Sequence, residues 1–419
     1  MIKTAKHTPC RRQRLPVLNQ RGYTLPELLV VMTIFLIIIM VTSNGFKTVV
    51  SQVGQQSKSM ETEIGSIVGL ELLRSDVQNA GYGLPWSFLS SGTTPPGSPP
   101  SVSQYTEIGN SDSGGAIGAS FWPTGTSPAT FNDAPSNAPR AVQNGNTTFN
   151  KDSNGVGSQY LVIKSLSVAP GATQKKWVTV TYGSTGNRNP LTVYGTADRD
   201  LASTDQVIVL RNSFVDNVAN RQLQTNGGTF SAAFNQFTTL TQPHSSSDVF
   251  QVYGVNPADA GLSLLRMPFN RADYYVKTPA SMPPACAPNT GILYKAYASQ
   301  KSSGGFTEIP LLDCVADMQV AYGLGGSDGA VNSYVTTLTG LSASDIRNRV
   351  KEIRLYILGQ EGKKDPGFSY PSTTINVGET LQGISVGRTF DLSKLIGGPW
   401  KNYRWKLYTI VVRPKNLIQ

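Results

Sequence analysis

From Leu28 to Phe46 no charged residue occurs for nineteen positions, and beyond Phe46 the apolar residues stop running together and recur three or four apart. At about 1.5 Å per residue the first stretch makes a helix about 28 Å long, close to the roughly 30 Å hydrocarbon core of a bilayer. The second stretch places Phe46, Val50, Val53, Met60, Ile64, Ile67, Val68, Leu72, Leu73 and Val77 on one stripe, with no proline between Lys47 and Ala80. The spacing predicts a helix over 23–82, with a membrane-spanning half at 25–46 and an amphipathic half at 47–82 whose stripe packs on a globular head. Thr24 to Ala80 as one helix is about 85 Å long. Gly54, Gly65 and Gly69 weaken it by about 1 kcal/mol each relative to alanine, and Asn44-Gly45 is another weak point where unwinding on assembly is expected. Gly81-Tyr82-Gly83 and Pro85 end it.

Segment 83–159 reads as a loop excursion rich in Gly, Ser and Pro, with scattered apolar residues such as Phe121 and Trp122. Within it, Asn150-x-Asp152-x-Asn154-Gly155 is a poor calcium loop, because Leu161 stands where the closing glutamate belongs. A β-rich head over 160–419 follows. Runs rich in Val, Ile and Tyr predict strands at 160–165, 177–182, 206–211, 249–253, 273–277, 291–297, 310–314 and 318–322. At 352–358 and 403–412 apolar and polar residues alternate, which predicts antiparallel strands with one face on the helix and one toward water. The expected fold class is α+β: a long N-terminal helix on a mainly antiparallel sheet.

The apolar run is bordered by Glu27, and upstream of it Lys3, Lys6, Arg11, Arg12, Arg14 and Arg21 are the only charges. Basic residues there orient the helix with its N-terminus in the cytoplasm. A secretory signal shares this charge pattern and is cut after its apolar run, here near Thr42, Ser43 and Gly45. A plain membrane anchor needs no carboxylate beside its core, where an acid costs on the order of 2.5–3.5 kcal/mol. The phrase Gly22-Tyr23-Thr24-Leu25-Pro26-Glu27 resembles the class III leader of type IV prepilins. That resemblance implies a leader at 1–22, cleavage between Gly22 and Tyr23, retention of the apolar segment and methylation of the Tyr23 amine. It also implies that Glu27 pairs with the N-terminal amine of a neighbouring subunit, against the plainer reading that Glu27 reaches to the headgroups. Pro26 departs from the commoner aliphatic residue but sits in the first turn, where its missing N–H breaks no helical bond.

Leu73-Arg74-Ser75-Asp76-Val77-Gln78-Asn79-Ala80-Gly81-Tyr82-Gly83 resembles the helix-ending phrase of PilW-like minor pilins; its bland reading is an amphipathic turn with a glycine C-cap. Stretches at 272–294, 311–320, 350–358 and 403–416 are similar to the same family. The resemblance implies a minor pilin processed by prepilin peptidase, placed at or near the tip of a type IV pilus, and helping to initiate assembly. The partners implied are other major and minor pilins, prepilin peptidase, and the inner membrane before assembly. The protein would be a single-pass inner-membrane protein and then part of the extracellular pilus. A J-type pseudopilin of type II secretion and a tip adhesin using 90–150 are the alternatives.

Composition changes this picture little. The formal charge is +10, but without the leader 30 basic residues face 26 acidic ones, so basicity is poor grounds for a nucleic-acid partner, and none is expected. With Cys10 in the leader, Cys286 and Cys314 remain, and an even count in an oxidising compartment favours a disulfide over two buried thiols. His244 is the one histidine after the leader; it lies in a loop-like stretch with no assembled catalytic motif around it, so no enzyme, cofactor or metal site is expected.

Overall fold

The computed structural model describes residues 24–88, 102–109, 121–182, 188–190, 194–215, 218–241 and 249–417. Gly22, Tyr23 and His244 lie outside them. The chain divides into two compact units, 1–57 and 58–419. Helix α1, Leu25–Gln78, runs through both. In the first unit its backbone is helical across Asn44 and Gly45. Leu25–Ser43 is long and apolar enough to cross a membrane, and its large side chains from Leu25 to Val41 are exposed.

The fold is α+β. In the second unit an antiparallel sheet runs, from one edge, through Arg404–Val412, Val350–Glu361, Phe306–Gly325, Gly291–Ala298, Asn270–Lys277, Gln159–Ser165 and Val142–Asn146, with Val331–Val335 added to Phe306–Gly325. The last turns of α1 lie against this sheet. Leu73, Val77 and Ala80 are fully buried in one core with Leu161, Tyr274, Leu293 and Val315. A second sheet interrupts the first in sequence, between Gln159–Ser165 and Asn270–Lys277. Its main strands are Trp177–Tyr182, Gln206–Val215, Val218–Leu223 and Val249–Asn256, and its parallel edge strand is Ser87–Phe88.

Four expectations are corrected by this architecture. Segment 83–159 is not loop throughout: Val142–Asn146 pairs with Gln159–Ser165, and Trp122 and Phe131 pack on Tyr160. The two runs at 310–314 and 318–322 are one twenty-residue strand, Phe306–Gly325. It is bulged where Gly291 and Leu293 pair with Val315 and Leu312, leaving an extra residue beside Cys314, whose φ is 54°. The water-facing side of 352–358 is covered. A hairpin of Thr374–Leu381 and Ile384–Asp391 buries Val377, Val386 and Phe390 with Tyr356, Leu358, Trp400 and Trp405, so the strand is buried on both faces. The helix stripe is rotated from its expected position. Gly69, Leu73, Asp76, Val77 and Ala80 face the sheet, while Ile67 and Val68 are 60% and 68% exposed.

Candidate functional site

At its N-terminus α1 is closed by its own side chains. Glu27 Oε2 accepts hydrogen bonds from the Thr24 backbone N–H (3.1 Å) and the Thr24 hydroxyl (3.0 Å), and the Leu28 N–H donates to the Thr24 carbonyl at 3.2 Å. Thr24 is therefore the N-cap and Glu27 the third helical residue, the spacing at which a glutamate reaches back to the cap N–H. The carboxylate also lies where the helix dipole favours negative charge. Pro26 occupies the second helical position, whose N–H has no partner in any helix. The signal, Thr-x-x-Glu ahead of an apolar run, is present in the sequence; treating Glu27 only as an intermembrane charge passes over it.

At the other end the helix is fastened by a buried charge. The Asp76 carboxylate accepts from Lys295 Nζ at 2.5 Å and from the Tyr274 hydroxyl. Burial pushes the Asp76 carboxyl above its ordinary range, opposed by the Lys295 charge and by both hydrogen bonds. A Cβ at Gly69 would overlap the Leu311 carbonyl, so this glycine lets the helix backbone meet the central strand directly. Past the helix, Gly81 turns at φ 83° and donates its N–H to the Lys164 carbonyl at 3.0 Å, while Lys415 N–H donates to the Gln78 carbonyl at 2.9 Å. The Asp76 partners lie 198 and 219 positions away in sequence, beyond the reach of any local pattern.

Two comparisons bear on this arrangement. A family model for type IV pilus-assembly protein W matches residues 273–416, about a third of the chain, and begins at the strand that carries Tyr274. A model for the prokaryotic N-terminal methylation motif matches 18–43, which spans the Thr24–Glu27 cap and the apolar run. The chain is thus similar to PilW over its C-terminal third and to type IV prepilins at its N-terminus. No curated protein and no solved structure matches it. Neither family model reaches 44–272, so the second sheet lies outside the PilW-matched part.

Inside the PilW-matched region two links hold the loops to the central strand. Cys286 and Cys314 form a disulfide with their Cα atoms 4.9 Å apart, tying the 278–290 connection to the bulge. Asp317 is fully buried and receives both Arg388 Nε and Nη2 at 2.8 Å, which ties the covering hairpin to the same strand. Burial raises the Asp317 carboxyl above its ordinary range and the Arg388 charge opposes it. At the edge of that region, and mostly before it, the chain carries a buried ionic cluster that no local pattern in the sequence signals. Lys164 Nζ meets Glu107 Oε2 at 2.8 Å and Asp133 Oδ2 at 2.5 Å, and Arg271 Nε meets Asp273 Oδ1 at 2.8 Å with Nη2 at 2.8 Å from Oδ2. Tyr160 donates its hydroxyl to Asp273 Oδ2 at 2.5 Å. The cluster clamps segments 102–109 and 121–137 onto the sheet. Its acids are each engaged by a cation.

Proposed function

We propose that this chain is a minor pilin, cut by prepilin peptidase between Gly22 and Tyr23, methylated at Tyr23, and placed at or near the tip of a type IV pilus, where it helps to start assembly with other pilins. Its similarity to pilus-assembly and prepilin sequences supports a pilin-type role anchored in a membrane. The observation that carries the finer reading is Glu27, the acid in the first turn of α1, which borders an apolar stretch whose large side chains up to Val41 are exposed. In an assembly the apolar helices bury one another, and Glu27 is neutralised by the amine of the next subunit. The helix face carrying Ile67, Val68 and Leu72, turned away from the head, extends the apolar surface available to neighbouring helices.

The helix cap dictates how to test this. A glutamine at position 27 keeps a side chain that reaches the Thr24 N–H but removes the charge; an alanine removes both. Glu27→Gln is expected to lower co-assembly with other pilins as severely as Glu27→Ala while leaving membrane insertion intact. Normal incorporation of Glu27→Gln would refute amine pairing. Mass spectrometry of the mature N-terminus separately checks processing: the expected product starts at a methylated Tyr23, and a product starting beyond Phe46 would refute the reading.

A further inference from the structure

Trp86 precedes the short edge strand Ser87–Phe88 and is half-buried. Two guanidiniums converge on its indole, Arg347 at 4.3 Å and Arg221 at 5.2 Å from the ring centroid. Arg347 comes from helix α2, Ala343–Arg349, and Arg221 from the strand Val218–Leu223. Both Nε atoms are buried with no hydrogen-bond partner, and neither residue is in an ion pair among the described residues. Lys164, Lys295, Arg271 and Arg388 are treated differently, each meeting a carboxylate. One guanidinium over an indole is favourable, but a second like charge beside it offsets that gain. Burial and then the Arg221 charge push the Arg347 guanidinium below its ordinary value. Among the described residues, neither guanidinium is in an ion pair with a carboxylate.

The same indole borders a pocket of about 500 Å³ that is also lined by Asn137, Arg140, Ser342 and Ser344. Asp133 lines it too, but its carboxylate is taken by Lys164 and Arg140. We infer that this corner is a binding site for an oxyanion group, a carboxylate, sulfate or phosphate, held between Arg221 and Arg347 beside Trp86, with the body of its carrier in the adjoining pocket. Guanidiniums suit these planar or tetrahedral oxyanions because their N–H groups form parallel charge-assisted hydrogen bonds. Arg221 belongs to the second sheet, Trp86 immediately precedes that sheet's edge strand, and Arg347 belongs to the helix that leads into Val350–Glu361, so a bound anion ties the two together. Occupancy therefore stabilises the fold by mass action.

The test is the thermal unfolding of the full chain in detergent, titrated with sodium sulfate against sodium chloride at matched ionic strength, and with glucuronate against glucose. The wild type is expected to show a saturable rise in Tm with sulfate, glucuronate or both. Whichever of the two acts tells an inorganic anion from a carboxylate-bearing sugar. Arg221→Gln/Arg347→Gln is expected to weaken the apparent affinity at least about tenfold. Arg347→Gln alone relieves the repulsion and is expected to leave the Tm without anion unchanged or raised, which shows that the variant folds. An equal sulfate response in the double variant would reduce the effect to general exclusion of the salt and overturn the site. So would a fall in the anion-free Tm of Arg347→Gln, because that marks the stack as structural only.

Discussion

In the isolated chain Glu27 caps its own helix through Thr24, so the proposed pairing with an amine on another subunit would exchange one set of hydrogen bonds for a stronger, charged one. Other carboxylates are tuned in opposite directions by their surroundings. Burial raises Glu379, but hydrogen bonds from Tyr356 and Arg354 outweigh it and hold the carboxyl below its ordinary value. Its contribution to stability is present above the ordinary glutamate pKa and is lost as pH falls through the depressed value. Asp76 is raised, so its contribution has the reverse sign: it is fully present below the ordinary aspartate pKa and lost as pH rises through the raised value. Between pH 7 and 3, the Tm difference between wild type and Glu379→Gln is expected to shrink as the pH drops, whereas Asp76→Asn is expected to lose an acid-side gain that the wild type shows. Parallel profiles for all three proteins would contradict both assignments.

Helix α1 and the central strand meet because Gly69 has no side chain. From the sequence Gly69 reads as a weak spot costing about 1 kcal/mol in helix propensity. In the fold it is the contact point, since any Cβ there strikes the Leu311 backbone. Gly69→Ala is therefore expected to lower stability by about 1–3 kcal/mol in spite of its better propensity, measured by urea unfolding of the full chain in detergent. The buried cluster acts on the excursion in the same way. Lys164→Met leaves Glu107 and Asp133 facing one another without that cation, and a loss of about 3–5 kcal/mol is expected, with new proteolytic cleavage in 102–109 or 121–137. Strand 350–361 shows why alternation alone misleads. Its polar-looking residues Glu352 and Arg354 pair with each other, and Arg354 also pairs with Glu379 of the covering hairpin. A face that carries charge can be covered when the cover brings the opposite charge.

Taken together, the chain is a membrane-competent helix joined to a β-sheet head that is stapled once by Cys286–Cys314, 28 positions apart. Removing this bond as Cys286→Ser/Cys314→Ser is expected to cost about 3–4 kcal/mol in the chain-entropy description, read as a lower Tm that reductant does not change further. An unchanged Tm would mean that the surrounding sheet already constrains the loop.

The N-terminal helix, its apolar run, the acid at its edge, the helix-ending glycines, most strands and the pairable cysteines were legible in the chain before folding. Each depends on neighbours within a few positions: a helical period, a run of apolar residues, a turn or a count. The helix face that docks, the covering hairpin, the merged central strand and the charges that are buried were decided only by the tertiary structure. Asp76 reaches Tyr274 across 198 positions, and Arg388 reaches Asp317 across 71. A charge is affordable in a core only where a distant segment delivers its counter-charge. That delivery is a property of how the sheets close on the helix, and no local spacing encodes it.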